Sequence, residues 1–346
     1  ALAVQLAAVQ YGPKPEPPKP GAPAPASQPA PTAYTADLDS TLRMVQDKTV
    51  QRLSGKVELR KLALTDTQNL LSEPQVVHYD LSMDDAQHRI DLARLETASK
   101  LLKFNLKGSA SSLDTQCLLD FKGSYALDLP ETVAILKKLS PDGVKSVALL
   151  GASAGDIVIS GPTNSPDVKP PFRKLVAGAP VTWQAGSKVY GLTLGDARFE
   201  PGLADALFKL PVHEVDANGG KLRLGMEVDL REKESVFKIP GKLTVLDKVG
   251  VNAEVGREIL SRALPLLGQA NSMEGSVTLV LEDFNLPLSD RLKKAGTGKG
   301  HMDLSSVQMR PAGEMALLMS LAGMKGDQAY PVKVSGLDFA LRDNGL

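Results

Sequence analysis

The stretch "EGSVTLVLEDFNLPL", residues 274–288, decides the fold of this chain. Its apolar residues alternate with polar residues in two sets of opposite parity: Val277, Leu279 and Leu281, followed by Phe284, Leu286 and Leu288. Successive side chains of a strand point to opposite faces, so this alternation is typical of a half-buried strand. A one-residue slip with apolar residues on both sides predicts a β-bulge, or a strand whose apolar side chains change to another surface.

The same slip recurs in three other stretches of the chain. In each stretch one apolar set gives way to a set of the opposite parity. Val57 and Leu59 are followed by Leu62 and Leu64, Ile90 and Leu92 by Leu95, and Met302 and Leu304 by Val307 and Met309. Because bulges bend and twist a sheet, their repetition predicts a curved sheet.

A second recurring pattern is a glycine followed by alternating apolar residues, which is typical of a strand that follows a turn. It begins at Gly55, Gly123, Gly220, Gly241, Gly275 and Gly300. Helices are predicted only at residues 130–139, 202–210, 256–270 and 313–323, and residues 41–53 fit a helix or a strand. The predicted fold class is mainly β: a long, curved, mostly antiparallel sheet with a few short helices.

The overall composition excludes several classes of function. The 346 residues include 40 basic and 40 acidic side chains, so the charges cancel and nothing favours nucleic acid as a partner. Aromatic residues make up 4% of the chain, which is too few for many stacking platforms for bases or sugars. Cys117 is the single cysteine, so an intrachain disulfide is impossible, and we expect a small buried apolar residue there.

A proline-rich segment divides the chain. Residues 12–37 are predicted to be a linker or insertion loop in extended or disordered form, because proline lacks an amide proton and is fixed in φ. Residues 1–11 are then the end of a preceding element, and residues 38–346 an elongated β region. The chain has no initial methionine, no signal peptide and no apolar run of about 18 residues. We therefore expect a fragment of a longer protein.

The motifs that suggest catalysis are weak. "GASAG", residues 151–155, matches the nucleophile elbow around Ser153, but a strand-like stretch follows where a helix is needed, so a hairpin turn is predicted. "AGTGKG", residues 295–300, fails the phosphate-loop pattern and reads as a connector. The four histidines lack the spacing of a zinc site. We predict no catalytic residue, no metal and no cofactor, and hence no enzyme.

The apolar strand faces require a cover. Burial of one aliphatic side chain contributes about 1.5–3 kcal/mol, and a large exposed apolar patch is a liability unless it binds something. The predicted helices are too few to cover a sheet of this length. The sheet therefore either folds over itself or forms a groove that an apolar ligand fills.

Several stretches resemble the AsmA-like family of bacterial envelope proteins, which includes TamB-type relatives. Residues 89–139 look like a recurrent unit of that family, with a "G-x-apolar" step, a "DL" strand end and a short helix. Residues 258–288 are similar to its helix and glycine-led strand that ends in Leu-Pro-Leu. Residues 300–323 resemble the strand, loop and helix that commonly follow, and "LDFALRDNGL" looks like a later strand. The resemblance covers most of residues 50–346.

The resemblance implies a taco-shaped β-groove that carries phospholipid across the periplasm of Gram-negative bacteria towards the outer membrane. It implies an N-terminal inner-membrane anchor in the full-length protein and no catalytic group. Two features depart from the family: the anchor is absent from this sequence, and the proline-rich insertion is unusual for the groove.

The residues that we predict to line the groove are Val57, Leu59, Val277, Leu279 and Leu281. The same side chains fit an ordinary closed core equally well, as in an envelope or surface β-protein that acts as a scaffold or protein-binding module. A serine hydrolase that uses Ser153 is a third hypothesis.

Overall fold

The computed structural model describes residues 2–11, 34–64, 69–231, 234–262, 265–288, 296–325 and 328–341. These residues form mainly β-strands, and the predicted fold class is confirmed. The strands are β1 (Leu2–Tyr11), β2 (Tyr34–Asp47), β3 (Val50–Leu64), β4 (Gln75–Asp84), β5 (Arg89–Ala98), β6 (Leu102–Ser111), β7 (Leu118–Asp128), β8 (Val147–Ala148), β9 (Ala152–Pro162), β10 (Val176–Gly178), β11 (Val181–Trp183), β12 (Ser187–Val189), β13 (Leu192–Leu194), β14 (Ala197–Phe199), β15 (Gly202–Ala204), β16 (Leu207–Ala217), β17 (Gly220–Asp229), β18 (Val236–Gly250), β19 (Ala270–Pro287), β20 (Thr297–Pro311) and β21 (Tyr330–Leu341).

Strand pairing follows chain order almost throughout, and the strand pairings of the described residues are antiparallel. The main sheet runs from β1 to β7, then through β9, β10 and β15 to β16, and on to β21. β13, β12 and β8 branch from β16, and β11 pairs with β14 in a separate sheet. Pairing between neighbours in sequence explains why local alternation sufficed to predict the architecture.

The structure describes part of the N-terminal region that is predicted to divide into a preceding element and a proline-rich linker. β1 pairs with β2 and so belongs to the same sheet, and β2 begins at Tyr34. Residues 12–33, which hold most of the predicted proline-rich linker, lie outside the described residues.

The helices of the described residues are short. They are α1 (Leu129–Leu139), α2 (Pro141–Val144), α3 (Ala253–Glu258) and α4 (Gly313–Leu321), with two 3₁₀ turns at Leu260–Arg262 and Pro265–Gln269. The predicted helices at residues 130–139 and 313–323 are confirmed. At the start of α1 the Asp128 side chain accepts the Glu131 N–H at 2.8 Å, which satisfies one of the free amides of the first turn.

The other helix predictions need correction. Residues 202–210 form β15, a tight turn and the start of β16, because Asp205 and Ala206 both take φ near +53°, as a two-residue hairpin turn requires. The described residues of the range 256–270 form the end of α3, two 3₁₀ turns and the start of β19, since Gly256, Pro265 and Gly268 disfavour one long helix. Residues 41–53, left open by the sequence, belong to β2 and β3.

The four predicted register slips are confirmed as irregularities of strand pairing. Pairing shifts beside Leu59 and beside Leu92, as the apolar pattern predicted. It also shifts on both sides of β19 near Asp283, and between β19 and β20 near Ser306. Asp283 and Ser306 take φ of 50° and 53°, so the bends are built into the backbone at these positions.

Most of the glycines that the sequence placed at strand starts lie inside strands instead. Gly220 does begin β17, but Gly55 and Gly300 lie within β3 and β20. A Cβ on Gly300 would lie 2.1 Å from the ring of Phe339 on the neighbouring strand, so glycine is needed for the ring to lie there. Aromatic residues pair directly with glycines at Gly55–Tyr79, Gly108–Phe121, Gly155–Tyr125 and Gly300–Phe339.

The two ends of the strands differ. Because the pairing is antiparallel, the strands that precede α1, α3 and α4 all finish at the same end, which we call the helix end. The short helix α2 directly follows α1. The opposite end, the turn end, carries the connections β2–β3, β4–β5, β6–β7 and β15–β16. A cluster of buried side chains that pack against one another, which we call the closed core, lies at the helix end. Its members are Leu192, Leu194, Ala197, Phe199, Val215, Ala217, Leu222, Leu246, Val249, Val251, Val255, Leu260, Leu267, Met273, Val277, Met302, Leu304, Val307 and Met309.

Candidate functional site: the apolar face of the sheet

One face of the main sheet carries a continuous series of apolar side chains, which we call the apolar face. Residues directly opposite each other on neighbouring strands lie on the same face, so the pairing register identifies its members. Representative pairs are Val57–Val77, Leu53–Leu81, Leu81–Leu92, Leu95–Leu106, Phe104–Tyr125, Phe121–Ile159, Phe208–Val228, Phe237–Leu286 and Ile239–Phe284. The apolar face therefore extends from β3 to β19 without a change of side.

The register break in β19 keeps its apolar residues on this face. Before the break Leu281 lies opposite Leu243, and after it Phe284 lies opposite Ile239. Without the irregularity at Asp283 the second set would point to the other side, because a shift of one residue reverses the face of every later side chain. The bulge thus allows one long strand to bend and still present a single apolar surface.

Burial along the apolar face changes with position. At the helix end, Val249 and Val277 are 0% exposed and belong to the closed core. Towards the turn end of the same strands, Phe237 and Leu286 are half-buried, whereas Ile239 and Leu243 are only 9% exposed. Along the N-terminal part of the sheet the half-buried members are Leu53, Val57, Leu59, Val77, Leu81, Leu92, Leu95, Phe104, Leu106 and Phe121. Much of the apolar face is therefore partly open to solvent.

The five residues predicted to line a groove all lie on the apolar face, but in two environments. Val57 and Leu59 are half-buried in β3, away from the closed core. Leu279 and Leu281 are half-buried in β19, and Leu279 packs against the closed core. Val277 lies inside that core.

Sequence reasoning did not single out the apolar members of β4 to β7 as lining residues. Phe104, Leu106 and Phe121 have the same half-buried state as Val57 and lie on the same face. For Phe104 and Leu106 the signal is the alternation of residues 89–111, and for all three residues it is the register of the neighbouring strands. The first can be read from the sequence, whereas the second requires the paired structure.

The opposite face of the sheet is charged, with cross-strand ion pairs along it. Lys209 lies 3.0 Å from Glu227, and Arg223 lies 2.9 Å from Glu214 on the neighbouring strand. Hydrogen bonds from Lys221 and Arg223 hold the pKa of the Glu214 carboxyl below its usual value. Exposed pairs contribute only about 0–1 kcal/mol each, so their main effect is to keep this face in water.

The strongest electrostatic feature lies at the turn end, where β17 meets β18. The Asp229 carboxylate is buried and accepts two hydrogen bonds from the Arg231 guanidinium, at 2.8 and 2.7 Å, and one from Lys238 at 2.8 Å. The paired Arg231 guanidinium, followed by Lys238, holds the pKa of Asp229 well below its usual range. This cluster fixes the end of the β17–β18 hairpin rather than presenting a free reactive group.

Ser153, the serine of the elbow-like motif, lies in β9 near its start, so the hairpin turn predicted there is wrong. Its side chain is 2% exposed. The hydroxyl accepts the Thr182 N–H at 3.1 Å and lies 3.0 Å from the Tyr125 hydroxyl, which itself donates to the Pro180 carbonyl. These bonds tie β9 to its neighbours and leave the hydroxyl in a structural role. Within the described ranges, the metal-ligating side chains form no group of three or more.

Comparison with models of protein families, with curated proteins and with solved structures finds no match for this chain. Among the described residues, none of the helices is both long enough and apolar enough to cross a bilayer.

Proposed function

We propose that this chain belongs to a non-enzymatic lipid-binding protein that holds phospholipid acyl chains against the apolar face. One observation carries the proposal: aliphatic and aromatic side chains continue from strand to strand along β3–β7 but stay half-buried. A patch of this size is normally covered by a partner or a ligand. Acyl chains match its chemistry, since most side chains of this face are aliphatic or aromatic.

The proposed mechanism requires only that the apolar face shields the acyl chains from water. Each methylene group that leaves water for the apolar face contributes about 0.8 kcal/mol, so an acyl chain of ordinary length is held without any specific contact. The head group stays in water at the edge of the face. Selectivity then depends on the width and continuity of the apolar face.

The resemblance to AsmA-like proteins extends this proposal to the bacterial envelope. A periplasmic location, an inner-membrane anchor elsewhere in the full-length protein and transport of phospholipid towards the outer membrane all rest on that resemblance. The bends of the sheet agree with a groove that curves around its contents.

Site-specific photo-crosslinking tests the proposal. A photoreactive residue at position 106, on the half-buried apolar face, is expected to capture phospholipid when the chain is produced in bacteria, with the adduct identified by mass spectrometry. The same residue at position 107 is the matched control, because Lys107 is exposed and lies on the opposite face of the same strand. Equal labelling at both positions, or no lipid at position 106, would contradict the proposal.

A scaffold with a closed core is the second candidate function, and the closed core around Val277 favours it. In that case the half-buried face of β3–β7 packs against protein. Crosslinks from position 106 would then join two segments of protein and yield no lipid adduct.

A further inference from the structure

The helix α4 connects the last two strands of the sheet and exposes an unusual amount of apolar surface. Leu317, Leu318 and Leu321 are 62%, 65% and 77% exposed, and Met324, just beyond the helix, is 41% exposed. At 3.6 residues per turn the three leucines share one side of the helix, and Met324 follows its C-terminal end. We call these four residues the leucine stripe.

The other side of α4 is apolar as well. Met315 is half-buried and packs against the closed core, and Met319 is half-buried on the same side. Residues 315–324 contain no charged side chain. A surface helix normally turns polar residues to water, and a helix that is apolar all round is normally buried. Packing against the closed core therefore explains why the inner side of α4 is apolar. It does not explain the leucine stripe.

The size of the leucine stripe argues against a second copy of the chain as its cover. Four aliphatic side chains expose on the order of a few hundred Å², whereas a stable protein interface buries about 800 Å² on each partner. Such an interface also carries a polar rim with about ten hydrogen bonds, and the uncharged run around the stripe supplies little of this.

The charges at the two ends of α4 indicate what covers the stripe. Arg310 precedes the helix, Glu314 lies in its first turn on the side of the leucine stripe, and Lys325 follows it. All three side chains are exposed, so the described residues beside the stripe carry two cations and one anion. An exposed apolar surface with an excess of cations beside it suits an anionic bilayer, in which the leucines lie among the acyl chains and the cations near the phosphates.

We infer that α4 docks this end of the sheet onto an anionic lipid bilayer through the leucine stripe, with Arg310 and Lys325 at the level of the phosphate groups. The helix lies in the membrane surface and does not cross it, because its nine residues are too few. This docking does not depend on lipid binding at the apolar face, which is a separate surface.

Vesicle flotation tests the inference. The chain is expected to float with vesicles of phosphatidylethanolamine and phosphatidylglycerol, and less with phosphatidylcholine alone. Combined Leu317→Ser, Leu318→Ser and Leu321→Ser substitutions should weaken binding at least about tenfold, since each removes an inserted aliphatic group. Val212→Ser is the control, because Val212 is 63% exposed on β16, away from α4, and should leave binding unchanged.

A second measurement guards against misfolding of the triple variant. A spin label at position 321 should enter an oxygen-rich, water-poor environment when vesicles are added, and one at position 212 should not, each in a Cys117→Ser background. Leu106→Asp, on the apolar face, should leave flotation intact, which separates docking from lipid binding in a groove. Absence of flotation, an unaffected triple variant, or a stripe-dependent dimer in sedimentation would each overturn the inference.

Discussion

Val277 and Leu281 lie on the same strand and on the same face, four residues apart, yet Val277 is 0% exposed and Leu281 is half-buried. The change in burial occurs because the elements that build the closed core lie at the helix end, beside Val277. Leu281 lies closer to the turn end, opposite Leu243. The edge of the closed core therefore crosses β19 between these two residues, although the cross-strand neighbour Leu243 is itself only 9% exposed.

This boundary predicts that the two side chains have separable roles. Val277→Ala should lower the free energy of unfolding by about 2 kcal/mol, because it leaves a cavity that neighbouring core residues fill only in part. Leu281→Ala should cost less stability and instead reduce the amount of phospholipid that co-purifies. Urea unfolding and quantitative lipid mass spectrometry on both variants check this. The same loss of stability in both, with lipid content unchanged, would favour the scaffold function.

Gly300→Ala should be strongly destabilising for steric reasons. The new methyl group would lie 2.1 Å from the Phe339 ring, and displacement of a packed ring typically costs about 1–3 kcal/mol. Gly202→Ala is the matched control, since its methyl group would meet the Ala177 carbonyl oxygen at an ordinary 3.7 Å. Urea unfolding midpoints should fall clearly for the first variant and little for the second. Equal midpoints would show that the ring of Phe339 moves aside freely.

Much of the fold followed from local pattern because most strands pair with their neighbours in sequence. The slip after Leu281 predicted the bulge near Asp283, since parity and face are linked by geometry. The hairpin at residues 202–210 could not be predicted in this way. Ala and Leu favour helices, but pairing of β15 with β10 outweighs that preference, and β10 lies more than twenty residues earlier.

The sequence predicted an apolar face, but it did not predict which of its residues are covered by other parts of the protein. Alternation identified Val57 and Val277 as equivalent apolar residues, and both do lie on the apolar face. Their different burial depends on α3 and the neighbouring 3₁₀ turns, which pack beside Val277 and are remote from Val57. Such coverage is a property of the tertiary structure, and no period in the sequence encodes it.

The ion cluster around Asp229 predicts a specific dependence of stability on pH. Its cations hold the pKa of Asp229 below the value in the unfolded chain, so the cluster stabilises the fold fully above the unfolded pKa. That contribution is lost progressively as the pH falls below about 4. Urea unfolding from neutral to acidic pH should show a steeper decline for the native chain than for Asp229→Asn. The variant should already be less stable at neutral pH, by about 1–3 kcal/mol, because Arg231 and Lys238 lose their shared partner.

Asp216→Asn provides the comparison for this cluster. The Asp216 side chain is 74% exposed and pairs with Lys221 at 2.8 Å, so its removal should change stability little at any pH. If Asp229→Asn kept the native pH profile, another carboxylate would have to account for the acid sensitivity.

Ser153→Ala should behave as a structural substitution. It leaves the half-buried Thr182 amide without its acceptor, which costs about 1–3 kcal/mol, and it also removes one of the two partners of the Tyr125 hydroxyl. Ser124→Ala, which removes a hydrogen bond to the exposed Asn105 side chain, should cost less. Hydrolysis of a chromogenic ester by the purified chain should be the same for both variants and for the native chain. Selective loss of hydrolysis with Ser153→Ala, at an unchanged unfolding midpoint, would instead support a nucleophilic serine and contradict a structural role.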